Sequence, residues 1–138
     1  MEKIVFITGI SGGMGSATAL EFKSKGYRVF GTDFAENGNS FVEKFFQGNV
    51  SDETMWESIS DYFEKNGLWI DTLVNIAGRN YFSRIEESDL SQWKLMFETN
   101  LFGMVLSIKH LLKFLKKSES FAFCSRTDPH GRKALPRR

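Results

Sequence analysis

The sequence has little cysteine, little proline and no long apolar run. Its 138 residues include one cysteine, Cys124, and two prolines, Pro129 and Pro136. A single cysteine excludes an internal disulfide, and no stretch approaches the roughly 18 uninterrupted apolar residues that a membrane-spanning helix needs. The apolar run 4–7, which follows Glu2, is also too short for a secretory signal. These absences predict a cytoplasmic protein without a membrane partner.

Neither sign of charge predominates over the whole chain, which has 18 basic and 17 acidic residues. Up to Ser125 there are 13 basic and 16 acidic residues, whereas residues 126–138 include five basic and one acidic residue. An acidic body lacks the basic stripe typical of nucleic-acid binding, so no nucleic-acid partner is predicted. We expect a basic, disordered tail at 126–138; the alternative is a tail that binds an anionic partner. His110 and His130 show no ligand spacing, so no metal site is predicted.

The length and composition are those of one globular domain, with 41% hydrophobic and 25% charged residues. Runs rich in β-branched and aromatic residues predict strands at 3–8, 28–33, 45–50, 72–77 and 121–124. Helices are predicted at 14–25, from a Ser51 cap onward, and over 90–117 as two consecutive helices. This alternation predicts an α/β fold with a doubly wound parallel sheet.

The predicted long helix carries a regular apolar stripe. Its members recur at helical spacing and are Leu101, Val105, Ile108, Leu112 and Leu115. We expect this face to pack within a larger body or against a partner subunit, because 138 residues leave it without an outer cover. The last strand is also expected to present an unpaired edge, so self-association that partly covers residues 121–124 is a predicted property of the chain.

A glycine-rich turn follows the first strand and opens the first helix. It reads Thr8-Gly9-Ile10-Ser11-Gly12-Gly13-Met14-Gly15. Glycines at this position let the backbone and the helix N-terminus approach a diphosphate. The spacing T-G-x-x-x-G-x-G resembles that of the short-chain dehydrogenase/reductase family, with Thr8, Gly9, Gly13 and Gly15 at the motif positions.

Four further motifs strengthen the resemblance, which covers residues 3 to about 118. Asp33 ends the second strand, where an acidic side chain can bind the adenosine ribose and repel a 2′-phosphate, so NAD is predicted over NADP. Asn49-Val50 resembles the family's Asp-Val at the adenine edge. Asn75-Ile76-Ala77-Gly78 resembles N-N-A-G, which lines the cofactor site, and Asn100-Leu101-Phe102-Gly103 resembles N-x-x-G, whose asparagine belongs to the catalytic set. The alternative to cofactor binding is that Asp33 and Asn75 only form hydrogen bonds within local turns.

The resemblance implies a Rossmann sheet of order 3-2-1-4-5, truncated after the fifth strand, with an NAD-binding domain at 1–125. It also implies hydride transfer between nicotinamide and a small alcohol or carbonyl substrate. Ser125 lies about where the family's catalytic serine falls, and an asparagine such as Asn100 amid an apolar helix is expected to be buried with partners.

The family's Tyr-x-x-x-Lys is missing from these 138 residues. The residues four positions after the three tyrosines are Gly31, Asn66 and Ile85. Because the tyrosine acts as general acid or base and the lysine lowers its pKa, the chain alone is predicted to be inactive. The aperiodic sequence after about residue 119 suggests that the reading frame departs from the family there. The alternatives to an oxidoreductase are a non-catalytic dinucleotide-binding module and an inert truncated fragment.

Overall fold

The chain forms one parallel sheet flanked by helices. The computed structural model describes residues 2–37 and 39–123. The strands pair in the order β3-β2-β1-β4-β5, which confirms the predicted order. Their bounds are β1 Ile4–Thr8, β2 Arg28–Asp33, β3 Lys44–Gln47, β4 Ile70–Asn75 and β5 Leu115–Phe123. Because every pair is parallel, the carboxyl ends of these strands lie along one edge of the sheet.

The helices pack on the two faces of this sheet. Those of the described residues are α1 Gly13–Ser24, α2 Glu53–Lys65, α3 Leu90–Phe97 and α4 Gly103–Leu111, with a π-helical turn at Glu98–Phe102 and 3-10 turns at Ile85–Glu87 and Leu112–Phe114. One core cluster joins β1 to α2 and α4 through Phe6, Trp56 and Leu111. A second joins β1 to α1 through Ile7 and Ala19. The central strand β1 is buried along its whole length, as its continuous apolar run predicts.

Several element ends differ from the predicted ones, including both ends of β4, which was expected at 72–77. Strand β3 ends at Gln47 instead of residue 50, because the chain turns at Gly48. Helix α2 is capped by Asp52, whose carboxylate accepts a hydrogen bond from the Thr54 N–H at 3.0 Å. Ser51 is therefore not the cap; its hydroxyl donates to Asn49 instead.

The fifth strand begins at Leu115, where the sequence predicted the end of a helix. Lys116 consequently belongs to β5, and its Nζ lies 2.6 Å from the Oδ1 atom of Asp71 on β4. Asp71 is 2% exposed and also accepts the Ile4 N–H of β1 at 2.8 Å. One buried carboxylate thus ties together the beginnings of three neighbouring strands. Cys124, which ended the predicted strand, lies outside the described residues.

Three of the five residues of the predicted apolar stripe lie on the outer face of α4 and of the turns on either side of it, whereas Ile108 and Leu115 pack against the core. The exposed fractions of Leu101, Val105 and Leu112 are 42%, 50% and 54%. The inner face carries the buried residues Gly103, Ser107 and Leu111. Within the described ranges, no helix has the length and apolar character needed to cross a membrane.

Candidate functional site

The turn between β1 and α1 is closed by two glycines that leave no room for a side chain. Gly9 has a φ of 71°, and a Cβ there would lie 2.7 Å from the Ala77 nitrogen. A Cβ on Gly15 would lie 1.9 Å from the Gly9 carbonyl oxygen. By contrast, a Cβ on Gly13 would have no neighbour within 4 Å. The turn is therefore packed tightly on its inner side and opens to space at Gly13.

The open side of the turn is the N-terminus of α1. Gly12 is its N-cap residue and provides no side-chain hydrogen bond, and the first turn carries no acidic residue. The amide groups and dipole of such a helix end favour an anion. Ser11, just before the cap, has a buried hydroxyl oxygen without a partner among the described residues. Met14 follows on the helix with 41% of its side chain exposed.

Thr8 joins the glycine turn to the end of β4. Its hydroxyl oxygen accepts the N–H groups of Ile76 and Ala77, each at 3.1 Å. The hydroxyl also donates to the Asn75 Oδ1 atom at 3.4 Å. The first residue of the glycine motif and the first of the N-I-A-G segment are thus parts of one hydrogen-bonded unit.

Asp33 lies against the glycine turn. One carboxylate oxygen accepts the Ser11 N–H at 2.9 Å, and the other accepts the Ala35 N–H at 3.0 Å. These bonds hold a half-buried carboxylate at the end of β2, beside the entrance to α1. The local-turn alternative accounts for the Ala35 contact, but the Ser11 contact spans 22 residues and belongs to the tertiary structure.

Asn49 and Val50 follow β3 at the same edge of the sheet. Asn49 is exposed, whereas Val50 is 6% exposed and packs against α4. A Cβ on Gly103 would lie 2.6 Å from Val50 Cγ2, so only glycine allows the helix to approach this closely. The glycine of N-x-x-G is therefore required by helix packing.

Asn75 is buried at the end of β4, with 7% of its surface exposed. Its Oδ1 atom accepts a hydrogen bond from the Ser107 hydroxyl of α4 at 2.9 Å, while its Nδ2 atom has no partner among the described residues. Sequence reasoning missed Ser107. It lies four residues after Gly103 and four before Leu111, on the buried face of α4, where a glycine and a serine add nothing to an apolar periodicity.

Asn100 lies in the π-helical turn and is exposed, so the predicted burial of this residue is wrong. Its amide instead clamps the backbone of Arg79: Oδ1 accepts the Arg79 N–H at 2.8 Å, and Nδ2 donates to the Arg79 carbonyl at 2.9 Å. A Cβ on Gly78 would lie 3.2 Å from the same Oδ1 atom. Both polar atoms of the Asn100 amide therefore have hydrogen-bond partners although the residue is exposed.

Three points of the sequence analysis remain: the predicted Ser125, the tyrosine Tyr81 and metal-binding side chains. Ser125 lies outside the described residues. Tyr81, in the loop after Gly78, accepts the Asp89 N–H on its hydroxyl at 2.8 Å. In the described part of the chain, no group of three or more His, Cys, Asp or Glu side chains is arranged to hold a metal ion.

The comparison with protein families agrees with three features of the structure. These are the glycine turn after β1, the acidic residue at the end of β2 and the sheet order 3-2-1-4-5. The model for short chain dehydrogenases matches residues 3–121. This chain belongs to the short-chain dehydrogenase family. Its members bind nicotinamide dinucleotides and act as oxidoreductases.

Individual relatives agree with the family assignment. An uncharacterized oxidoreductase of Schizosaccharomyces pombe is 29% identical over 137 residues, which cover 90% of this chain and 48% of that protein. A short-chain dehydrogenase of Leptospira borgpetersenii, solved with bound NAD+, is 23% identical with a TM-score of 0.76 and shares the fold. That match covers 82% of this chain and 46% of the solved chain.

A solved variant of ElxO with NADPH bound is 32% identical with a TM-score of 0.71, covering 82% of this chain and 50% of the solved chain. The solved relatives therefore include one NAD+ complex and one NADPH complex. The chain spans about half the length of the curated relatives it matches.

Proposed function

We propose that residues 1–125 form an NAD-binding domain of a short-chain oxidoreductase. The observation that carries the proposal is the contact between the Asp33 carboxylate and the Ser11 N–H, which places an acidic group beside an open glycine turn. In the whole protein, the bound nicotinamide would exchange a hydride with a small alcohol or carbonyl substrate.

The described residues fit a dinucleotide along the carboxyl edge of the sheet. Open space at Gly13 and the uncapped end of α1 suit the diphosphate. Ser11 contributes a buried hydroxyl without a protein partner near the same turn. On this proposal, Asp33 binds the adenosine ribose and Asn49 lies next to the adenine ring. Asn75, Ala77 and Gly78 line the nicotinamide side.

We propose that the site prefers NAD over NADP. A 2′-phosphate would lie beside the Asp33 carboxylate, and no Lys or Arg occurs in the glycine turn or directly after Asp33 to neutralise it. Isothermal titration with each cofactor tests this preference. Asp33→Ala should weaken NAD binding and reduce the difference in affinity between NAD and NADP. Equal or tighter binding of NADP by the unmodified chain contradicts the proposal.

The alternative is a dinucleotide-binding module without chemistry, which the missing Tyr-x-x-x-Lys favours for these 138 residues. Loss of a general acid alone removes about 10²- to 10⁴-fold of rate. We therefore expect no cofactor turnover at 340 nm across a panel of alcohols and ketones. Robust turnover by the pure chain would refute the predicted inactivity. It would mean that a residue outside a Tyr-x-x-x-Lys motif acts as the general acid. Asn100 and Ser125 are the candidate members of the catalytic set within the chain.

We also propose that the chain self-associates through its outer helix face. Phe97 and Phe102 are 53% and 52% exposed and continue the apolar surface of Leu101, Val105 and Leu112. Exposed apolar surfaces of this kind mark interaction sites. Size-exclusion chromatography with light scattering should show a species larger than 15.8 kDa that Val105→Lys returns to monomer. A monomeric unmodified chain excludes this association.

A further inference from the structure

Arg79 directly follows the N-I-A-G segment, and its backbone is held in place. The Asn100 amide binds both its N–H and its carbonyl, at 2.8 and 2.9 Å. Two residues further on, the Tyr81 hydroxyl accepts the Asp89 N–H at 2.8 Å, and the Tyr81 ring packs edge-on against Trp93 of α3. The Arg79 side chain therefore extends from a fixed stretch of backbone.

The Arg79 guanidinium is exposed and has no carboxylate partner among the described residues. Its Nη2 donates to the Oε1 atom of Gln92 on α3 at 3.5 Å, which is a weak hydrogen bond to a neutral side chain. By contrast, Arg28, Lys109 and Lys116 each pair with a carboxylate. A guanidinium carries five N–H donors in a planar fork, so most of those on Arg79 remain free to bind a ligand.

This free charge lies next to the proposed reaction centre. Asn100 is a candidate member of the catalytic set, and Gly78 lines the proposed nicotinamide side. A Cβ on Gly78 would lie 3.2 Å from the Asn100 Oδ1 atom, and Arg79 is the next residue along the chain. A small substrate that reacts there carries its other functional groups only a few bonds away, within reach of a long side chain.

The chemistry of the free fork identifies the group that it would bind. Two parallel N–H donors match the two oxygens of a carboxylate, and a positive charge strengthens both hydrogen bonds. We propose that Arg79 selects substrates with a carboxylate near the reacting alcohol or carbonyl, namely hydroxy acids and oxo acids. This inference rests on the proposed dinucleotide site. Gln92 orients the fork without neutralising its charge.

The test measures binding of small ligands to the full chain saturated with NADH, followed by NMR shifts of the backbone amides at 78–81. The probes are 3-oxobutanoate, its neutral analogue 3-oxobutanamide, and hydroxyacetone phosphate. We expect 3-oxobutanoate to bind about tenfold more tightly than the amide. Arg79→Gln should bring that ratio close to one and leave the dissociation constant of NADH unchanged. Tighter binding of the phosphate than of 3-oxobutanoate would overturn the carboxylate as the selected group.

Two further variants separate a binding role from a structural one. Gln92→Glu keeps the arginine but places a carboxylate beside it, which should compete with the ligand and lower the same ratio. Arg84→Gln, the identical change at another exposed arginine of this loop, should leave the ratio unaltered.

The outcomes distinguish this inference from the proposed function. If the chain binds NADH but binds acid and amide equally, or if Arg79→Gln keeps the preference, the substrate class is overturned while the cofactor site stands. If Arg79→Gln weakens NADH binding itself, the guanidinium contacts the cofactor and its assignment to the substrate is wrong. If NADH does not bind the unmodified chain, the proposed site is wrong and the role of Arg79 falls with it.

Discussion

Gly13→Ala separates the stability of the glycine turn from its proposed role in binding. Gly13 is the first residue of α1, and the Cβ of an alanine would have no neighbour within 4 Å. The folded chain should therefore accept the methyl group without strain. The unfolded chain loses backbone freedom, which stabilises the folded state by about 0.4–1 kcal/mol. For a domain of this size, the increase in Tm is roughly 1–5 °C.

The same methyl group should weaken binding of NAD. It projects into the open space where the proposal places the diphosphate, and forcing a methyl group into an occupied volume costs about 1–3 kcal/mol. That range corresponds to an increase of about 5- to 150-fold in the dissociation constant. Stability and affinity should thus change in opposite directions, which general damage to the fold does not produce.

Thermal unfolding and titration calorimetry on the same preparations measure both effects. Gly15→Ala is the contrasting variant, because its Cβ would lie 1.9 Å from the Gly9 carbonyl oxygen. That variant should lose stability as well as binding. If Gly13→Ala binds NAD as tightly as the unmodified chain, no diphosphate approaches Gly13, and the cofactor site has been placed wrongly.

Two further predictions concern the packing of α4 and the ion pair at the beginnings of the strands. Gly103→Ala should lower the free energy of unfolding by about 1–3 kcal/mol, because its Cβ would lie 2.6 Å from Val50 Cγ2. In urea unfolding followed by tryptophan fluorescence, adding Val50→Ala to Gly103→Ala should recover part of the lost stability. If the effects of the two substitutions are strictly additive, the close contact between these residues is contradicted. Burial raises the pKa of Asp71, but hydrogen bonds from Lys116 and the Ile4 N–H outweigh it and lower the pKa overall. The stabilising contribution of Asp71 is therefore complete above pH about 4 and is lost as the pH falls through the lowered pKa. Asp71→Asn should reduce the dependence of the free energy of unfolding on pH below about 4. If that dependence is unchanged in the variant, Asp71 does not contribute to stability in this way.

The strands could be predicted because each carries its own signal in the sequence. The apolar run of β1 and the glycine turn after it identify the central strand and the first crossover, and the order 3-2-1-4-5 followed from the family resemblance. The bounds of β5 could not be predicted in the same way. Lys116 and Lys117 are typical of a last helical turn, yet Lys116 belongs to a strand whose pairing with Asp71 arises only in three dimensions.

The site residues were predictable where a motif occupies consecutive positions. Thr8 was found in this way, whereas Asp33 was predicted from its place at the end of the second strand, and the structure shows contacts for both that these patterns do not specify. Thr8 bonds the backbone after β4, and Asp33 bonds the glycine turn. Ser107 was missed because its partner Asn75 is 32 residues away, and a lone serine in a helix carries no pattern. Contacts of this kind depend on how closely two elements approach.

The two faces of α4 explain why hydropathy was a poor guide to burial there. The inner face must approach Val50 and Asn75 closely, so it carries Gly103 and Ser107, whose small side chains contribute little to an apolar pattern. The strongest apolar periodicity consequently comes from the outer face, at Leu101, Val105 and Leu112. Within the described chain, about half of the surface of each of these residues remains exposed, so only part of their hydrophobic free energy is gained. The rest would be gained only if another surface covered this face. The self-association proposed above predicts a surface that covers this outer face, whereas Gly103 and Ser107 on the inner face serve the packing of α4 on the sheet.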